Sequence, residues 1–195
     1  MDGNSHGNLA KSYIMDRKSF IKTTSLGIGL AVLPQISCAN KVISNEETQT
    51  DPKIVENHEG KVFNVIGDIQ THKLTGSDTG NQLVEWVDDV EPGVGIPPHI
   101  HTKEDEIFRV INGQVEILIG SQTTILNKGD IAFAPKNVAH SWKVVGTEKA
   151  KMITSAFPAG IEHMFRELGD LPPGPPDFEE VAAICNRFGI RFLEI

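Results

Sequence analysis

Cysteine is scarce, with two residues in a chain of 195. That excludes a disulfide-stapled scaffold and a Cys-based zinc finger. Positive charge is in deficit as well: 18 Lys and Arg stand against 26 Asp and Glu, for a formal charge of -8. Nucleic acid and anionic membranes are bound by clustered Lys/Arg surfaces, so the balance argues against both as partners. Long apolar runs are missing. The longest candidate, Thr24 to Leu33, is too short to span a bilayer as a helix. What is present is globular: 39% hydrophobic and 23% charged residues, enough for one domain with a proper core and some extensions. Eighteen glycines and eleven prolines mark a turn-rich chain of many short strands.

The N-terminal part reads as a leader. Met15 opens a second candidate start, Met15-Asp16-Arg17-Lys18-Ser19-Phe20-Ile21-Lys22, followed by Thr24 to Leu33 and closed by Pro34. Basic residues ahead of about ten apolar ones describe a signal peptide, and export to the periplasm or outside is expected. With Met15 as the start, residues 1–14 are a gene-start artefact. The Arg-Lys-Ser-Phe-Ile-Lys string resembles a twin-arginine signal, with Lys18 in place of the second arginine. Two exits are open: cleavage after Ala39, with Ser37 and Ala39 as the small residues, or lipidation of Cys38, which would make the protein a lipoprotein. Residues 1–39 are thus read as leader and 40–60, polar and acidic, as linker.

Strand-like alternation starts at Lys61 and recurs around residues 83–87, 106–111, 114–119, 123–126, 131–134, 141–145 and 151–155. Ile111-Asn112-Gly113-Gln114 reads as a hairpin with a type I′ turn. Short strands without intervening helices predict an antiparallel sandwich or barrel over 61–157. The period then becomes helical at Ile161, Met164, Phe165 and Leu168. Pro172 to Pro176 is a stiff break, and Asp177 with Glu180 caps a second helix that ends at Gly189. Two helices therefore close the chain over 158–195, with Cys185 on a core-facing side.

The chemistry lies between. His99 and His101 stand two apart, so on a strand they leave the same face. Glu106 follows across a polar turn, and His140 follows the Pro135-Lys136-Asn137 turn. Aimed into a barrel, three imidazoles and a carboxylate hold a divalent transition metal and leave one or two positions open. The alternative for each is an ordinary core or surface residue. Period two puts Phe108 and Val110 on the face of Glu106, and Trp142 on that of His140. Trp86 and Phe133 are further candidates for the pocket lining, with plain barrel core as the other reading. Lys103, Glu104 and Asp105 read as a solvated turn.

The spacings Gly93-x5-His99-x-His101-x4-Glu106-x6-Gly113 and Gly129-x5-Pro135-x4-His140 resemble the two cupin motifs. Asn137 replaces the usual glycine and Val144 a common asparagine; neither is a ligand position. The tail and flanking strands also resemble small single-domain cupins of the quercetin-dioxygenase-like kind. The resemblance implies an all-β fold, a double-stranded β-helix or jelly-roll barrel. It implies one divalent metal at His99, His101, Glu106 and His140, with Fe(II) favoured and Mn, Ni, Cu or Zn as alternatives. Glu106 would also be the catalytic base of a dioxygenase acting on a small enolic or phenolic substrate. Competing expectations are a non-catalytic metal- or ligand-binding cupin, and an isomerase or lyase using the metal as Lewis acid. A homodimer is expected on resemblance alone.

Overall fold

The computed structural model describes residues 50–172 and 174–193. The leader over 1–39, Cys38 and the first half of the linker lie outside the described residues. Among those described, no helix is long and apolar enough to cross a membrane.

In chain order the elements are β1 (Lys61–Val65), β2 (Asp68–Leu74), α1 (Gly76–Thr79), β3 (Val84–Val90), β4 (Gly95–His101), β5 (Asp105–Asn112) and β6 (Gln114–Ile119). There follow β7 (Gln122–Leu126), β8 (Ile131–Ala134), β9 (His140–Val145), β10 (Ala150–Phe157), α2 (Glu162–Gly169), α3 (Phe178–Phe188) and β11 (Ile190–Phe192). Two antiparallel sheets result, ordered β1-β2-β3-β10-β5-β8 and β11-β4-β9-β6-β7. Successive strands β3 to β6 pass from sheet to sheet, as in a double-stranded β-helix, and the all-β jelly roll holds.

Strict alternation builds the interior. Val84, Trp86, Asp88 and Val90 of β3 face inward, as do Ala150, Met152, Thr154 and Ala156 of β10. The apolar core has two parts. One, around Val110, Val115, Ile117, Val144 and Met152, fills the barrel. The other joins Trp86 and Val84 to the buried faces of α2 and α3. Asp177 accepts hydrogen bonds from the Glu179 and Glu180 amides to start α3, and Gly189 (φ 90°) ends it. Cys185 is buried there, and burial pushes its thiol up to about 11, far from a nucleophile. β11 then pairs with β4, through Ile190↔His101 and Phe192↔His99.

Two local expectations change. The Asn112-Gly113 hairpin does not form: β5 pairs with β10 and β8, whereas β6 pairs with β7 and β9. Gly113 (φ 76°) instead carries the chain from one sheet to the other. A Cβ there would lie 2.5 Å from the Lys149 carbonyl oxygen and 2.7 Å from Ala150 Cα, so glycine serves close packing as well as the turn. The second change is β2, absent from the strands read in the sequence. Its alternation is inverted: Asp68, Gln70 and His72 are buried while Ile69 is exposed. A search for apolar residues on the inner face passes over such a strand.

Candidate metal centre

His99 and His101 leave β4 on one face, Glu106 opens β5 and His140 opens β9. Register joins them: His99 is the direct partner of His140, and Glu106 pairs with Ala134 at the end of β8. The turn before β9 is held to the same place by backbone contacts. Asn137 donates to the His101 carbonyl (2.7 Å), and the Lys136 amide donates to Asp105 Oδ1 (2.7 Å). Asn137 takes φ 64°, the conformation its glycine-like position requires.

All four side chains are buried, and their ligand atoms lie within 4.8 Å of one another. Glu106 Oε2 is 2.9 Å from His140 Nε2 and 3.6 Å from His101 Nε2. The imidazoles are turned so that Nε2 faces inward. His99 Nδ1 donates to the Pro97 carbonyl (2.8 Å) and His140 Nδ1 to the Val138 carbonyl (3.1 Å). A proton held on Nδ1 leaves the Nε2 lone pair free for an electrophile. His99 Nε2 and His101 Nε2 then sit 3.0 Å apart, an approach of two basic nitrogens that a shared proton or a metal ion relieves. Donor set and orientation both fit a divalent transition metal.

The electrostatics agree. Burial, with His140 and His101 beside it, lowers His99 to about 3, so it is neutral at ordinary pH. Burial opposes ionisation of Glu106, yet His101 and the hydrogen bond from His140 hold it at about 2. For His101, burial disfavours charge, but Glu106 and Glu104 outweigh it and raise its pKa.

Glu104 corrects the sequence reading. Instead of a solvated turn residue it is 4% exposed, with Oε2 3.7 Å from His101 Nδ1. Neither atom has a hydrogen-bond partner among the described residues. The carboxylate thus stands behind His101 as the carbonyls stand behind His99 and His140. Its signal was position: three residues after a histidine, on a turn short enough to fold back.

The centre opens into a cavity of about 70 Å³. Trp86, Phe108 and Trp142 line it with His99, His101 and Glu106. Phe133 does not. It is 51% exposed and stacks on Phe157, because the alternation of β8 turns Ala134 inward and Phe133 outward. The far walls come from Met164, Phe165 and Cys185 of the two helices and from Asp68 and Gln70 of β2, none of them expected as lining.

The cupin-domain family profile matches residues 86–156, the stretch that holds all four candidate ligands. This chain belongs to the cupin superfamily. Among curated proteins it is 32% identical over 81 residues to quercetin 2,3-dioxygenase of Aspergillus japonicus, covering 39% of this chain and 23% of that one. It is 22% identical over 155 residues to quercetin 2,3-dioxygenase of Bacillus subtilis, covering 73% of this chain and 45% of that one. The chain therefore spans less than half the length of these relatives. Among solved structures, KdgF from Halomonas sp. superposes with a TM-score of 0.52 at 20% identity, over 58% of this chain and 99% of that one. At that identity the likeness speaks for the fold.

Proposed function

We propose that this cupin is a metal-dependent dioxygenase acting on a small enolic or phenolic substrate. One observation carries the reading: three inward-turned imidazoles and an ionised carboxylate meet at the wall of a covered cavity with aromatic sides. The quercetin 2,3-dioxygenase relatives support it. A redox-active ion held by His99, His101, Glu106 and His140 would supply Lewis acidity and a site for oxygen chemistry.

The protein's own residues do the rest. Glu106 Oε2, held ionised at the centre 2.9 Å from His140 Nε2, is placed to take the proton of a substrate hydroxyl. Three neutral imidazoles and one carboxylate under-compensate a divalent charge, which favours an anionic ligand such as an enolate or phenolate. Trp86, Phe108 and Trp142 give the cavity apolar walls for the carbon body of a small substrate, while α2 and α3 close it on the far side.

The test is oxygen uptake by the metal-loaded protein across enols and phenols, beside His101→Ala. Uptake by the wild type, lost together with metal in the variant, supports the proposal. Bound metal with no uptake by any substrate would replace it with Lewis-acid isomerase or lyase chemistry, or with ligand binding alone.

A further inference from the structure

The cavity at the histidine–glutamate centre is closed almost all round. Among the described residues that line it, Ile66 alone is exposed, at 37%; Ile96 and Phe192 are half-buried and the others are buried. Outside lies an open groove of about 830 Å³, between the β1–β2 turn, the end of α2 and Pro172, Pro175 and Pro176 beyond it. Ile66 and Leu168 line both spaces, so these two side chains form the partition between groove and cavity. Leu168 is fixed in the core under α2, whereas Ile66 sits at the tip of a two-residue turn.

We propose that Ile66 is the gate of the cavity: its side chain fills the passage from the groove to the centre and, by its bulk, sets the girth of substrate that enters. The inference deepens the proposed function, since it rests on the substrate binding in that cavity. An aliphatic passage favours a flat, weakly hydrated body such as a phenol or enol over a polyol, whose hydroxyls would lose water on the way in.

The turn itself argues for a role outside packing. Val65 pairs with Asp68, so Ile66 and Gly67 are the two central residues, at φ 55° and 93°. Two positive φ values mark a type I′ turn, for which Asn-Gly is the favoured pair. Gly67 meets that demand, and its amide donates to Asn64 Oδ1 (2.9 Å). A β-branched residue does not, because its Cβ substituents crowd the backbone in the left-handed region. Nor does Ile66 offset the strain in the core, since it belongs to neither apolar cluster. Strain kept without a packing gain marks functional positions, and this one stands at the mouth of the cavity. β1 is an edge strand, so the tip can open while the rest of the sheet stays paired.

The chain holds two tryptophans, Trp86 and Trp142, and both are buried in the cavity wall, so their fluorescence reports what gets in. Stern–Volmer quenching constants for acrylamide and the bulkier succinimide are measured on the full chain as purified, for wild type, Ile66→Asn, Ile66→Phe and Ile96→Ala. Ile66→Asn shortens the gate and suits the turn. It should raise the acrylamide constant about threefold and the succinimide constant by more, with a thermal midpoint no more than about 3 °C below wild type. Greater access without lost stability separates a gate from general loosening. Ile66→Phe should lower both constants. Ile96→Ala, at another place where the lining is only half-buried, should stay within roughly 1.5-fold of wild type. Constants for Ile66→Asn no higher than those for Ile96→Ala, or an equal gain for both quenchers, overturn the gate. If Ile66→Asn is destabilised, Ile66→Phe decides, and constants unchanged from wild type overturn it. Neither readout uses bound metal or turnover, so a failure here is separate from a failure of the proposed function.

Discussion

His99 and His140, 41 positions apart in sequence, are direct register partners on β4 and β9, with ring centroids 4.3 Å apart. The ladder between two strands of one sheet thus holds the two cupin motifs together, and the centre is as rigid as that ladder. His140→Ala should lower bound metal to a tenth or less of the wild-type content, since three donors remain but Glu106 loses the partner at 2.9 Å that orients it. Elemental analysis checks this, with circular dichroism to show that the barrel persists. Retained metal would take His140 out of the ligand set.

Glu104 acts on the centre through His101. Glu104→Gln keeps size and burial but removes the charge 3.7 Å from His101 Nδ1. Metal affinity should fall about 10- to 100-fold, as when outer partners of ligating histidines are lost. A competition titration with a chelator of known affinity measures it. Affinity within twofold of wild type would make Glu104 a bystander.

Asp68 gives a pH-dependent prediction. Its folded pKa, about 6, lies above the ordinary value of 3.8, so the folded state binds this proton more tightly than the unfolded chain. The resulting stability is fully present below about pH 3.8 and is lost as pH rises through about 6. Asp68→Asn lacks this titration. Relative to wild type it should gain on the order of 2–3 kcal/mol between pH 4 and pH 7.5. Urea unfolding of the metal-free proteins at the two pH values gives the difference, and a gap that does not change with pH would contradict the shift.

Gly95 lets β4 and β9 approach. A Cβ there would meet the Trp142 carbonyl oxygen and lie 2.6 Å from Lys143 Cα, both of them backbone atoms that cannot move aside cheaply. Gly95→Ala should cost roughly 1–3 kcal/mol and loosen the His99↔His140 pairing. Thermal unfolding with and without added metal reads both effects. An unchanged midpoint would mean that the strands can separate locally at little cost.

Where local pattern and global role agree, the sequence was readable. β3, β6 and β10 alternate apolar-in and polar-out, and the four candidate ligands occupy spacings that only make sense on adjoining strands. The parts that escaped have physical causes. β2 places Asp68, Gln70 and His72 inside and so inverts the pattern by which strands are found. Glu104 sits among charged neighbours, and only the fold shows that its turn folds back onto His101. Asn112-Gly113 carries the composition of a hairpin, but pairing of β5 with β10 and β8 leaves it no edge on which to fold back β6. Asp68 and Gln70 lie at the cavity wall, where buried polar side chains break the apolar-in pattern that marks a strand.

The most direct test of the metal centre is elemental analysis of the protein purified without chelator or a metal-binding tag, beside its His99→Ala/His101→Ala variant. The account predicts about one redox-active metal per chain in the wild type and none in the variant. No metal in either protein, even after loading with iron, manganese, nickel, copper or zinc, would contradict it and leave His99, His101, Glu106 and His140 as a structural cluster.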